Sequence, residues 1–256
     1  MKNNNPVFSK IERQSVYDNV GEAASYTGVM AKTLILFALA IGSAFGSLMI
    51  AGSNPSLYMG LLIASIITGL IGVFVSTLKP NVAHIFGPVY AISEGFSLGI
   101  ISLVYSAAFG DAFGGPGIVG LAVIITMSIF GGMLFVYSSR IIRVTDRFRR
   151  FVIGVGMGIL LTFLLTWIVS FFDGGQMSYT LFGNPNSGLV LFLSLVLIMY
   201  GAFMLLLQFD HVERAVDQGM PKRYEWTVGV GLMVSIVYIY YQVLRLLAIL
   251  ASRSRD

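Results

Sequence analysis

The sequence predicts an all-α membrane protein with seven transmembrane helices, on three observations. Of its 256 residues 56% are hydrophobic and 11% charged, against about 25% charged in a soluble domain, and mean hydropathy is +0.84. The apolar residues gather into segments of roughly 20 residues or more, the length a helix needs to cross hydrocarbon about 30 Å thick. Lys and Arg sort into alternate connections, as the positive-inside rule requires of a polytopic protein.

The polar stretch 1–28 reads as a cytoplasmic N-terminal segment, not a signal peptide, because the apolar run behind it is long enough to remain as a spanning helix. The apolar segments cover 29–51, 57–78, 84–107, 117–139, 151–172, 188–209 and 226–250. They make one membrane domain, 29–250, followed by a short tail, 251–256. Turn chemistry separates them: GSNP at 52–55, KPN at 79–81, GDAFGGPG at 110–117, DGG at 173–175, GNPNSG at 183–188 and QGMP at 218–221. The N-terminal side holds Lys2, Lys10, Arg13 and Lys32, and the second connection Lys79. The fourth holds Arg140, Arg143, Arg147, Arg149 and Arg150, and the sixth Arg214, Lys222 and Arg223. The first, third and fifth hold none. The N-terminus is therefore expected inside, and an odd number of crossings puts the C-terminus outside, against the pull of Arg245, Arg253 and Arg255. Three glycine pairs, Gly42/Gly46, Gly95/Gly99 and Gly154/Gly158, have the spacing that lets helices approach closely, and packing within the chain is their expected use.

Several function classes fall away. There is no cysteine, so disulfides, Fe–S clusters and thiol nucleophiles are excluded. The net charge of +4 reports orientation and no nucleic-acid partner. No GxSxG, Walker A or HExxH motif is present, no span carries an interior lysine for a retinal Schiff base, and no nucleophile dyad is evident. The chain is expected not to be an enzyme and to hold no resident cofactor. His84 and His211 are isolated and make no metal site.

What remains is a handful of acids. Glu94 lies in PVYAISEGFSLGIISLVYSAAF, a stretch otherwise free of charge. A carboxylate near the bilayer centre costs roughly 2.5–3.5 kcal/mol on insertion scales and usually faces the bundle interior or a watery path. The other acids cluster in LLLQFDHVERAVDQGMPKRYEW, where the sixth helix continues until Gly219, with Pro221 behind it. On that helix Asp210 faces Glu213 and Arg214, and Glu213 faces Asp217. Glu225 opens the seventh segment, where it can fold back towards them. Such carboxylates can share a proton or accept a hard cation such as Ca²⁺, or Asp210 can simply pair with Arg214.

Residues 206–250, together with NPVF at 5–8, GPVYAISEGFSLGIIS at 87–102 and QGMPKRYEW at 218–226, resemble the Bax inhibitor/YccA family of transmembrane Bax inhibitor motif proteins, and look closest to its bacterial YccA-like branch. The resemblance implies six helices wrapped around a central seventh. It also implies a pH-sensitive calcium leak, gated by two aspartates that share a proton. Phe209–Asp210 matches the first. The second lies ten residues before a Leu-Arg pair, which places Ser235 there, so that acid is missing. Relatives of this branch are also linked to inhibition of a membrane-bound ATP-dependent protease.

The resulting expectation is a bacterial inner-membrane protein that conducts cations, Ca²⁺ foremost, under pH control. Asp210 is the principal gate, and Glu94 lines the path, with both as transient Ca²⁺ ligands. Glu213 and Glu225 share the proton or cation, and Arg214 is the counter-charge that holds the site shut. The alternatives are a non-conducting modulator of a membrane-bound protease and a proton-coupled exchanger.

Overall fold

Long runs rich in Leu, Ile, Val, Phe and Ala leave the backbone one way to satisfy its hydrogen bonds in lipid, the α-helix. In the computed structural model, which describes residues 22–53, 58–113 and 117–254, each predicted segment is such a helix. They are α1 (Tyr26–Ser53), α2 (Tyr58–Leu78), α3 (Ala83–Phe109), α4 (Gly117–Ser138), α5 (Asp146–Phe172), α6 (Gly188–Asp217) and α7 (Tyr224–Arg253). All seven are long and apolar enough to cross a membrane. The NPVF motif, Glu12, Asp18 and Asp256 lie outside the described residues.

Five helices outrun their apolar text, α1 and α3 by one to three residues at each end. Helix α5 begins at Asp146, five residues before the predicted 151, because Thr145 caps it by accepting from the Phe148 N–H at 3.2 Å. Helices α6 and α7 run on to Asp217 and Arg253. The stop after α6 falls at Gly219 as predicted. Its φ is +60°, and Gly219 N and Met220 N donate to the carbonyls of Val216 and Ala215, each at 3.0 Å, the Schellman arrangement. The same two bonds end α4, from Arg140 to Tyr137 and from Ile141 to Val136. There the left-handed position is held by an arginine, Arg140, at φ 53°.

Helix α7 is the hub. In its most apolar stretch 61% of residues are buried inside the bundle, against 11% for α5. Helices α1, α2, α3, α4 and α6 all pack on α7, while α5 stands outside this ring against α6. Five helices thus wrap around the seventh, and α5 stands outside them as an outrigger. Two apolar clusters share α7. One joins Ile236, Ile239 and Leu244 to Ile118 and Ala122 of α4 and Leu205 and Phe209 of α6. The other joins Val230, Met233 and Val237 to Leu36 and Ala40 of α1 and Tyr90 and Ala91 of α3.

One glycine pair meets the expected use. A methyl on Gly95 would overlap the Ala40 backbone, and one on Gly99 the Ala44 carbonyl, so α1 and α3 touch backbone to backbone. Gly42, Gly46, Gly154 and Gly158 have nothing within 4 Å of such a methyl. Those two pairs do not serve packing within the chain, because their helix faces point away from the bundle.

The residues ahead of α1 are tied to the α6–α7 turn. Ala23 forms an isolated antiparallel bridge with Pro221. Ala24 N donates to the Met220 carbonyl at 2.7 Å, and Lys222 N to the Glu22 carbonyl at 2.8 Å. This end of the bundle, where α1 starts and the α4–α5 and α6–α7 connections meet, carries the basic residues and is called the basic end below.

Candidate functional site

The acids of the α6–α7 region do not converge; each is drawn to its own cationic partner. Asp210 sits near the basic end of α6, 8% exposed. Its neighbour Phe209 is wedged against Phe130 and Tyr137, both at 5.7 Å between ring centroids. One carboxylate oxygen, Oδ2, accepts from Arg149 Nη2 of α5 and from Arg214 Nε at 2.8 Å. Two guanidinium groups on one buried carboxylate make a charge-assisted clamp. Arg214 was expected from the i,i+4 spacing. Arg149 was not, because the apolar text begins after it. Its signal is the α5 face that follows. The Phe148 ring packs edge-on against Phe203 of α6 at 5.6 Å, Val152 is buried, and Gly156 makes room for the Tyr200 hydroxyl.

Glu213, one turn on, turns to α4 instead. Its carboxylate accepts from the Tyr137 hydroxyl and from Arg140 Nη2 at 2.9 Å. The left-handed Arg140 thereby ties the end of α4 to α6. Asp217 and His211 are exposed.

Glu225 corrects the sequence expectation most clearly. It does not fold back to share a proton or cation with Asp210 or Glu213. It is fully buried and forms an ion pair with Lys32 of α1. Ser25 N donates to its Oε1 at 2.8 Å and Ser25 Oγ at 3.3 Å. Lys32 also donates to the Lys222 carbonyl at 3.2 Å and lies 5.7 Å from the centre of the Trp226 ring. Gly28 faces the carboxylate so closely that a methyl there would overlap it. Outside the spans, Lys222 pairs with Glu22. That hydrogen bond and the ammonium charge hold the Glu22 carboxyl below its ordinary value, and the same bond with the carboxylate charge holds the Lys222 ammonium above its own.

Glu94 stands apart at mid-depth, on the α2–α3 side of α7. It lines a cavity of about 310 Å³ together with Ile66, Gly69, Leu70, Val73, Tyr90, Ser97, Ile101 and Tyr241. The Tyr241 hydroxyl hydrogen-bonds its carboxyl. Beside it, hydroxyl pairs join α2 to α3: Ser65 with Ser97 at 2.7 Å and Thr68 with Ser93 at 2.9 Å. Glu94 and Asp210 therefore belong to separate sites, not to one Ca²⁺ ligand set. Among the described residues no group of three or more His, Asp or Glu side chains could hold a metal ion. Ser235, at the position of the missing second acid, is 2% exposed and donates to the Gly231 carbonyl of its own helix at 3.2 Å.

Seven membrane-length helices, five of them closed around the last, with buried carboxylates clamped by cations at one end, define a multi-pass α-helical membrane protein. The sequence profile of the Bax inhibitor 1-like family matches residues 5–252, nearly the whole chain. The chain belongs to that family. No curated protein and no solved structure matches it.

Proposed function

We propose that the protein is a pH-responsive cation leak of the bacterial inner membrane, with its basic end in the cytoplasm, shut at that end by the Asp210 clamp. The observation that carries this reading is the pair of arginines on the buried Asp210 carboxylate. Losing one negative charge there releases two guanidinium groups at once and frees α5 from α6. The groups that face Asp210 are Arg149 from α5, Arg214 and His211 from α6, and Tyr137 from α4. Cations prevail among them, so neutralising Asp210 breaks the clamp and opens the leak. An aspartate pair sharing a proton would respond in the opposite sense, and Ser235 leaves Asp210 without that partner.

The test is Ca²⁺ uptake by proteoliposomes at pH 6 and pH 8. Uptake that is low in the parent, and that is high at both values in Asp210→Asn, supports the clamp. A second reading, proton-coupled exchange, is favoured by Glu94, a carboxyl in its own cavity with a tyrosine donor. It expects Glu94→Gln to abolish a pH-driven flux while the Asp210 variant keeps it. No flux in folded protein at either pH moves the reading to a non-conducting partner of a membrane-bound protease.

A further inference from the structure

Arg245 and Arg253 run against the charge pattern. They stand on α7 at the end opposite the basic one, where the connections between helices carry no Lys or Arg. Both reach the α5–α6 connection. Arg253 Nε donates to the Pro185 carbonyl at 2.6 Å and its Nη2 to the Ser187 carbonyl at 2.8 Å. Arg245 Nη2 donates to the Phe182 carbonyl at 2.8 Å, and its guanidinium lies 5.2 Å from the centre of the Phe182 ring. The connection pinned in this way closes one side of a cavity of about 370 Å³, whose other walls come from α3 and α7.

A guanidinium carries a permanent charge and five N–H donors. Among the described residues Arg245 has one hydrogen-bond acceptor, the Phe182 carbonyl, and pairs with no acid. Asp173, the acid of the same connection, is turned to its own backbone, accepting from Gly175 N at 2.9 Å and Met177 N at 2.8 Å. A half-buried charge with donors to spare is best matched by an anion from outside the chain. Depth and shape narrow the choice. Arg245 lies twenty residues beyond Glu225 on α7, about 30 Å along the axis, which is the thickness of the hydrocarbon. Glu225 lies at the basic end, so Arg245 stands at the far edge of the hydrocarbon, where the headgroup region begins. The cavity floor is apolar, with Ala248 and Ile249 each 7% exposed. Its rim on α3, Val104 and Ala108, is exposed, so the cavity opens sideways into lipid. An open apolar groove with an arginine at headgroup level fits an amphiphile with an anionic head.

We propose that this cavity is a phospholipid site in the leaflet opposite the basic end. Arg245 binds the lipid phosphate, for which a planar guanidinium is the preferred partner, and the start of one acyl chain lies over Ala248 and Ile249 between α3 and α7. The site goes beyond the leak reading and shares no residue with the Asp210 clamp or the Glu94 cavity. Its test measures binding and no ion flux, so either idea can fail without the other.

The test is native mass spectrometry of the full-length protein, delipidated in detergent and titrated with phosphatidylglycerol. The parent is expected to retain one lipid at concentrations where Arg245→Gln retains none, an affinity difference of roughly tenfold or more. Val104→Trp, at an exposed position on the rim, keeps the charge and blocks the groove; it is expected to lose the lipid as well, and it tests the site even if Arg245→Gln does not fold. Arg147→Gln, at the basic end, is expected to bind as the parent does. Equal retention in the parent and in Arg245→Gln, or full retention in Val104→Trp, overturns the site. Loss of the lipid in Arg147→Gln overturns it too, by placing the lipid in the other leaflet. Inorganic phosphate that displaces the lipid at equal concentration assigns the cavity to a free anion and overturns the lipid reading.

Discussion

Replacing Lys32 with methionine is expected to cost the fold about 3–5 kcal/mol, the usual penalty for stranding a buried charge. The magnitude follows from the asymmetry of the pair. The Glu225 side chain is 1% exposed and that of Lys32 15%. Without Lys32 the carboxylate keeps two donors, both from Ser25, and water does not reach it. Glu225→Gln is milder, about 1–2 kcal/mol, because Lys32 retains the Lys222 carbonyl and the Trp226 ring and extends towards solvent. In the double variant neither charge is stranded, so the combined loss falls short of the sum by about 1–3 kcal/mol, the coupling typical of groups in contact. Thermal unfolding in detergent reads this out. At roughly 2–4 °C per kcal/mol for a chain of this size, Lys32→Met loses on the order of 10 °C and Glu225→Gln about a third of that. Losses that simply add in the double variant would refute the argument that Lys32 is what makes a buried Glu225 tolerable.

Three further outcomes are expected. Gly95→Ala drives a methyl into the Ala40 backbone and loses about 1–3 kcal/mol, while Gly46→Ala meets open space and gains up to about 1 kcal/mol of helix propensity; melting both variants side by side checks this. Arg140→Gly relieves about 1 kcal/mol of left-handed strain but gives up an ion pair whose arginine is 69% exposed, worth at most about 1 kcal/mol. Its stability should therefore stay near that of the parent, with Arg140→Val clearly below; equal melting of the two variants would remove strain from the account. Lys222 holds the Glu22 carboxyl below 4.5, so this pair's contribution is complete at neutral pH and is lost only as pH falls below that value. Between pH 6 and 8, Glu22→Gln should therefore leave the pH slope of the melting temperature unchanged. A slope that appears in that range would assign the titration to another group.

The helices were legible because apolar runs of membrane length admit one backbone solution, and Gly219 marked its own stop through a φ that other residues resist. The overrun of α5 was not legible, because hydrogen bonding along a helix propagates past the last apolar residue wherever a cap such as Thr145 allows it. That overrun is what carries Arg149 out of a supposed loop and onto Asp210. The acids were legible as rare charges in apolar text, but their partners were not. Lys32 and Glu225 are 193 residues apart, and no local spacing reports a contact made by the closure of the whole bundle. Glu213 shows the same limit: its i,i+4 neighbour Asp217 was in view, whereas Tyr137 and Arg140 arrive from another helix. The outrigger position of α5 was hidden for a different reason, since a helix apolar all round gives no sign of which side meets protein and which meets lipid.

The centrality of α7 has a consequence for biogenesis. Synthesis runs from the N-terminus, so the helix that the others pack on enters the bilayer last. Helices α1 to α6 must wait in lipid without their common core, and Lys32 waits for Glu225 across almost the whole length of the chain. The Lys32–Glu225 pair and the packing on α7 therefore form together. Removal of the last thirty or so residues therefore does not trim the protein; it takes away the helix on which α1, α2, α3, α4 and α6 all pack.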